Sequence, residues 1–259
     1  MRSFGKTNIG LLRKINEDAF YYQKQYKCGK PYLCIIADGM GGHNAGEVAS
    51  RMAVNDINEF IGKNLNEQEY NNLKDYEDLI RKAFLHANEK VYKKSMDSKE
   101  CIGMGTTLTV ILIIENNMII GHVGDSRVYI IRNESMERIT SDHSYVAELI
   151  KNGTIKPEEA SKHPQKNLIT RAIGTGEKID VDINVFGIKN GDCILMCTDG
   201  LSNMLDEDEI LDVVKSDKKL EERCSELIDL ANNKGGYDNI TVIIVEVDEG
   251  GAINAINDR

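Results

Sequence analysis

Proline is nearly missing: Pro31, Pro157 and Pro164 are the only three in 259 residues, and no Gly/Ser/Pro-rich stretch divides the chain. One domain is expected, over residues 1–248, with 249–259 as a disordered tail. Long hydrophobic runs are also lacking. The run from Leu108 to Ile114 stops at Glu115-Asn116-Asn117, far short of the ~20 apolar residues that a spanning helix needs. The opening residues Met1 to Lys6 have no apolar signal-peptide core behind their positive charges, so the expected location is the cytoplasm. Positive charge is scarce: 32 Lys and Arg stand against 42 Asp and Glu, a formal net charge of −10. Such a chain is repelled by nucleic acid and by anionic membrane, and neither is expected as a partner. The 41% of hydrophobic residues is enough for a substantial core, which excludes disorder as the main state.

The six cysteines, at 28, 34, 101, 193, 197 and 224, make no Cys-x-x-Cys pair and have no histidine at zinc-ligand spacing. None has an arginine six positions on, so the loop that serves thiol-based phosphoester hydrolysis does not occur. They read as small buried hydrophobes in a reducing compartment. Nucleotide-cradling loops are missing too: there is no G-x-x-x-x-G-K-[ST], and Gly39-Met40-Gly41-Gly42 lacks the spacing of a dinucleotide fingerprint.

What is present alternates in period. Short strand-like runs fill the first forty residues and end in Leu33 to Ala37, bounded by Pro31 and by Asp38-Gly39. Apolar spacings of three and four predict a helix over 45–62 and a second through Leu79, Ile80, Ala83, Phe84, Ala87 and Val91, lying antiparallel to it, with a polar connection at 63–74. Strands follow at 106–114, 118–123 and 127–131, the first two joined by a hairpin turn at Asn116-Asn117. Residues 143–175 are irregular, with one short helix near 144–151. Further strands are predicted at 181–186, 193–198 and 240–247, and helices at 206–215 and 218–233. Strands grouped with strands argue for α+β with antiparallel sheets.

An aspartate beside a glycine ends three apolar strands, at Asp38-Gly39, Gly124-Asp125 and Asp199-Gly200, and Gly235-Gly236-Tyr237-Asp238 stands just before a fourth. A lone Asp-Gly after a strand is a turn. Four carboxylates converging at strand mouths would repel one another unless cations neutralised them. Oxygen-only ligands suit hard ions, so Mg²⁺ or Mn²⁺ is expected, with the Gly39 carbonyl able to approach an ion closely.

Six segments together resemble the metal-dependent serine/threonine protein phosphatases of the PPM, or type 2C, family in its bacterial form. They are Arg13 to Ala19, Asp38 to His43, Gly103 to Thr107, Gly121 to Arg127, Cys197 to Leu201 and Asp238 to Thr241. They occur in the family's order across nearly the whole chain. The resemblance implies an αββα sandwich of two antiparallel β-sheets flanked by helices. It further implies two Mn²⁺ or Mg²⁺ ions per chain, with Asp38 bridging both, the Gly39 carbonyl on the first, and Asp199 and Asp238 on the second. Asp18 corresponds to a supporting acid acting through water, and Asp125, with Asp199, to ligands of a weaker third ion.

The implied reaction is hydrolysis of phosphoserine and phosphothreonine in proteins by a hydroxide held between two ions ~3.5 to 4 Å apart. Arg13 matches the family's phosphate-binding position, where a planar fork donates two hydrogen bonds. Animal relatives carry a histidine after the Asp-Gly pair; here that residue is Met40, which leaves His43 or a water as the acid. Residues 143–175 correspond to the flap of bacterial members, in which Arg171 and His163 are read as anchors. The implied partners are phosphorylated proteins and a eukaryotic-like Ser/Thr kinase that the enzyme opposes, and the implied state is a monomer. A catalytically silent phosphoprotein-binding module is the competing reading, but Asp38, Asp199 and Asp238 are all present. An aspartyl-phosphate phosphatase needs a D-x-D, which Asp38-Gly39-Met40 does not supply.

Overall fold

The computed structural model of the protein describes residues 1–24, 30–41, 45–97, 99–160 and 163–248. The expected tail at 249–259, Cys28 and His43 lie outside these residues. Three strands, β1 (Arg2–Asn8), β2 (Asp18–Tyr22) and β3 (Tyr32–Met40), precede two long helices, α1 (Ala45–Glu67) and α2 (Leu73–Asp97). Then come β4 (Gly105–Thr106), β5 (Leu108–Ile114), β6 (Asn117–Val123), β7 (Arg127–Arg132) and β8 (Ser135–Arg138). Short helices α3 (Tyr145–Lys151) and α4 (Pro157–Ala160) lead to β9 (Asp182–Gly187) and β10 (Cys193–Cys197). The chain finishes with α5 (Asp199–Ser202), α6 (Glu207–Val214), α7 (Leu220–Asn233) and β11 (Ile240–Glu246).

One sheet runs β2-β3-β5-β6-β9, with β4 also paired to β3; the other runs β1-β11-β10-β7-β8. Pairing among these strands is antiparallel. Because strand side chains alternate faces, each central strand feeds two cores. On β3, Leu33, Ile35 and Ala37 pack against α1 and α2, while Cys34 and Ile36 meet Met196, Ile243 and Val245 of the other sheet. On β10 and β11 the opposite face, with Leu195, Cys197, Val242 and Ile244, takes Ile210 of α6 and Leu227 and Ile228 of α7. The result is helices, sheet, sheet, helices, the αββα sandwich that the resemblance implied. Full burial of an aliphatic side chain is worth about 1.5–3 kcal/mol, so cutting Ile36 or Ile243 to alanine in the middle core should cost ~2–5 kcal/mol.

The expected elements recur with shifted ends. Helix α1 runs on to Glu67 and α2 starts at Leu73, so both reach into the polar connection expected at 63–74. The hairpin turn falls at Glu115-Asn116, one residue earlier than expected: Asn117 already pairs with Ile114, and Glu115 takes the left-handed backbone with φ 52°. The cysteines among the described residues are free, and burial pushes Cys193, Cys197 and Cys224 up to about 12, which keeps them as inert thiols.

Candidate active site

A cavity of about 230 Å³ opens where the ends of β3 and β6 in one sheet meet the ends of β10 and β11 in the other. Arg13, Glu17, Asp38, Gly39, Asp125, Asp199 and Asp238 line it, with Met40, Gly41, Thr107, Asn167 and Ile169. A larger hollow of about 660 Å³ near Lys215–Leu220 balances four acids with five cations. The smaller cavity does not balance: its five carboxylates face one guanidinium.

Asp38 is held by its backbone before its side chain acts. The Asp38 N–H donates to Thr107 Oγ1 at 2.8 Å, and its carbonyl accepts from the Thr107 N–H at 2.8 Å and from Thr106 Oγ1 at 2.9 Å. Gly39 donates to the Glu17 carbonyl at 3.0 Å. A Cβ on Gly39 would collide with the carbonyls of Gly46 and Glu17, so close packing against α1 already requires glycine there. Asn239 ties two loops together: its Oδ1 accepts from the Glu17 N–H at 2.8 Å, and its Nδ2 donates to the Ile9 and Ile15 carbonyls at 2.9 and 3.0 Å. Asp199 opens α5 and accepts from Asn203 Nδ2 at 2.9 Å. Arg13 Nη2 donates to Asp238 Oδ2 at 2.7 Å, and its Nη1 lies 3.8 Å from Glu17 Oε2.

Asp18 is buried opposite Asp38 in the β2–β3 register and does not reach the cavity. Its Oδ2 accepts from Thr241 Oγ1 on β11 at 2.6 Å and from Thr198 Oγ1, which follows β10 and caps α5, at 3.0 Å. Burial pushes its carboxyl up to about 7, against the pull of those two hydroxyls. Asp125 is pushed up to about 8 by burial and by Asp199. Burial, then the charges of Asp18, Asp199, Asp125 and Asp238, raises Asp38 well above the usual carboxylate range; burial and Asp238 raise Asp199.

The site's own atoms fit hard divalent cations. Asp18 Oδ1 and Asp199 Oδ1 are buried with no hydrogen-bond partner, a costly state for a carboxylate. With all five lining acids ionised against Arg13 the formal charge is 1 − 5 = −4, which two divalent ions would cancel. The donors are oxygen only. Among the described residues no three His, Cys, Asp or Glu side chains are grouped so as to hold an ion by themselves; the Gly39 carbonyl and water would have to contribute ligands, as they can for ions that keep water.

The protein phosphatase 2C family model matches residues 13–236. The chain belongs to that family. Protein phosphatase PhpP of Streptococcus pneumoniae is 41% identical over 250 residues, covering 94% of this chain and 96% of the relative. The solved serine/threonine phosphatase of S. agalactiae is 39% identical, with a TM-score of 0.87 over 95% of this chain and 99% of that one. The catalytic domain of the serine/threonine phosphatase PstP, solved in complex with two manganese ions, is 32% identical, with a TM-score of 0.81 over 96% and 98% of the two chains. As a type 2C member the chain is a metal-dependent protein serine/threonine phosphatase.

In this type 2C site Asp38, Gly39, Asp125, Asp199, Asp238 and Arg13 share one cavity, and Asp18 stands behind it. His43 lies outside the described residues. Met40 lines the cavity where animal relatives have histidine. Glu17 was not singled out from the sequence, although it stands inside the Arg13-to-Ala19 segment; burial raises its carboxyl, and the Gly46 N–H donates to it. Asn167 and Ile169 bring the flap to the cavity. The expected flap anchors separate: Arg171 Nη1 donates to Asp182 Oδ1 at 2.9 Å, whereas His163 makes a ring contact with Tyr145, centroids 5.9 Å apart. Neither lines the cavity. No described helix is long and apolar enough to cross a membrane.

Proposed function

We propose that the protein hydrolyses phosphoserine and phosphothreonine in protein substrates by direct attack of water on phosphorus, with no covalent enzyme intermediate. The observation that carries this reading is the cluster of five carboxylates around one guanidinium, with no cysteine or serine among the described residues that line the cavity. When bound there, two Mn²⁺ or Mg²⁺ ions supply hydroxide at neutral pH and screen the charge of the phosphoryl group. Asp38 is assigned to both ions, the Gly39 carbonyl to the first, Asp199 and Asp238 to the second, and Asp125 with Asp199 to a weaker third.

Arg13 holds the phosphate through its planar fork, which leaves Asp238 when substrate and cation arrive. Asp18 braces the cavity floor: fixed by Thr198 and Thr241, it holds the Asp38 strand against the other sheet. Thr106 and Thr107 fix the Asp38 peptide, so its carboxylate meets the ions without reorganising. In the cell this activity opposes a Ser/Thr kinase.

The test is phosphate release from a phosphothreonine peptide with Mn²⁺, with Mg²⁺ and with a chelator. Release that needs the cation and is lost in Asp38→Asn is expected. Release undiminished by the chelator would sink the two-ion reading, and no release under any condition would favour a silent phosphoprotein-binding module. The kinase pairing is tested by comparing phosphoproteomes with and without the gene; an unchanged phosphoserine and phosphothreonine pattern would oppose it.

A further inference from the structure

Two loops carry Arg13 and Asp238 to the cavity, and both expose large apolar side chains beside those residues. Leu11 is 64% exposed, Leu12 65% and Tyr237 59%. The loops are locked together by the Leu11 N–H, which donates to the Gly236 carbonyl at 2.8 Å, and by the Arg13–Asp238 pair. Beneath them lies the pair Gly235-Gly236. A Cβ on Gly235 would meet the Tyr237 ring at 2.6 Å, and one on Gly236 would meet Leu11 Cγ at 2.9 Å. The two side chains therefore lie close over consecutive glycines and form an apolar shelf open to solvent. Gly235 and Gly236 also have φ of +132° and +51°, which a side chain would strain.

Leu12 precedes Arg13 and Tyr237 precedes Asp238, and consecutive Cα atoms are about 3.8 Å apart. The shelf thus borders the cavity, because its residues are the chain neighbours of two that line it. Three side chains are far too few for a stable pairing of two copies, which buries about 800 Å² per partner. The net charge of −10 works against an anionic lipid surface.

We propose that the Leu11–Leu12–Tyr237 shelf docks an apolar side chain of the substrate polypeptide within two residues of the phosphorylated serine or threonine. The proposal rests on the phosphatase reading above and adds a sequence preference to it. Anchoring on a rigid apolar surface lowers KM without altering the chemical step.

The experiment measures kcat and KM, with saturating Mn²⁺, for two phosphothreonine peptides that differ only in carrying leucine or serine on both sides of the phosphothreonine, and for p-nitrophenyl phosphate. The native enzyme is expected to show a KM for the leucine peptide about five- to tenfold lower. In Leu11→Ser/Tyr237→Ser that difference should collapse, with kcat and p-nitrophenyl phosphate turnover unchanged, and Tyr237→Phe should retain it. Equal KM values for the two peptides in the native enzyme, or a preference that survives in the double variant, would overturn the shelf while leaving the phosphatase reading intact. An equal loss on all three substrates would make the shelf a support of the cavity and overturn docking. A dimer on size-exclusion chromatography that the double variant abolishes would give the shelf to a second copy instead. Failure of the native enzyme on every substrate would sink both readings.

Discussion

Arg13 Nη2 bonds Asp238 Oδ2 at 2.7 Å, joining residues 225 positions apart in sequence and two different roles in the proposed chemistry. One group is assigned to phosphate and the other to a cation, so each guards the other until both ligands arrive. Arg13→Ala should lower kcat/KM on a phosphothreonine peptide by about 10- to 100-fold. Titration calorimetry should find Mn²⁺ bound at least as tightly as before, because Asp238 has lost its competing partner. Unchanged kinetics would remove Arg13 from phosphate binding; weakened Mn²⁺ binding would show that it organises the ion site.

Asp38 sits among Asp18, Asp125, Asp199 and Asp238, whose charges all oppose its ionisation. Without cations this crowding destabilises the fold. Asp38→Asn should therefore abolish phosphate release yet raise the melting temperature of the chelated protein, by about 2–4 °C for each kcal/mol of repulsion relieved. The gain that Mn²⁺ gives the native protein should disappear in the variant. A lower melting temperature in chelator would mean that hydrogen bonding by the carboxylate outweighs the repulsion.

His122, which does not line the cavity, supplies a pH test of the fold. It is buried on β6, with Nδ1 2.9 Å from Thr109 Oγ1 and its ring 4.9 Å from that of His143. Burial, then the neighbouring His143, lowers it to about 4. Above the unfolded value of about 6.5 both states are neutral and its contribution is complete. As pH falls from there toward 4, the unfolded chain binds a proton that the folded chain refuses, so stability drops. In urea titrations with Mn²⁺ present, His122→Asn should be less stable at pH 7.5, and the gap should narrow by about 2 kcal/mol by pH 5. The acidic groups shift both curves alike, so the difference isolates the imidazole. Parallel curves would show that His122 titrates normally.

His143 fastens the flap to the Asp125 turn. Its N–H donates to the Gly124 carbonyl at 2.7 Å, and the Gly124 N–H donates to its Nδ1 at 3.1 Å. Its Nε2 lies 3.1 Å from Asp182 Oδ2 and 3.2 Å from Arg171 Nη1, which itself donates to Asp182. Replacing residues 146–160 with a short Gly/Ser linker leaves this clamp, Asn167 and Ile169 in place. Preference among phosphoproteins should change several-fold, with turnover of p-nitrophenyl phosphate held within about twofold. Equal losses on both would make the flap a structural part of the cavity.

The strand-end aspartates were legible because each combines two local signals, a β-branched or aliphatic run and a neighbouring glycine. The family resemblance carried by the six segments then implied the sandwich. Glu17 was harder to read: its side chain is held by the amide of Gly46 on α1, a contact that exists only once the helix packs on β3. The Arg13–Asp238 bond was hidden for the same reason. Strand β8, Ser135-Met136-Glu137-Arg138, has an exposed and polar pattern, and its identity comes from pairing with β7 across the Asn133 turn. The extra turns of α1 come from residues such as Asn64 and Asn66, whose side chains bond back to the Phe60 and Gly62 carbonyls. Polar composition alone reads as a loop there.

The bonds to Asp18 from Thr241 on β11 and from Thr198, just past β10, tie β2 to the other half of the sandwich directly beneath the cavity. Cut at the Asn133 turn, the chain would fall into a part holding Asp18, Asp38 and Asp125 and a part holding Asp199 and Asp238. Neither fragment would own a whole site, and β10 and β11 would be separated from their partners β7 and β1. Phosphate release by the mixed fragments would then act as a reporter of reassembly, switched on only when the two fragments have found each other and each sheet has been completed from both.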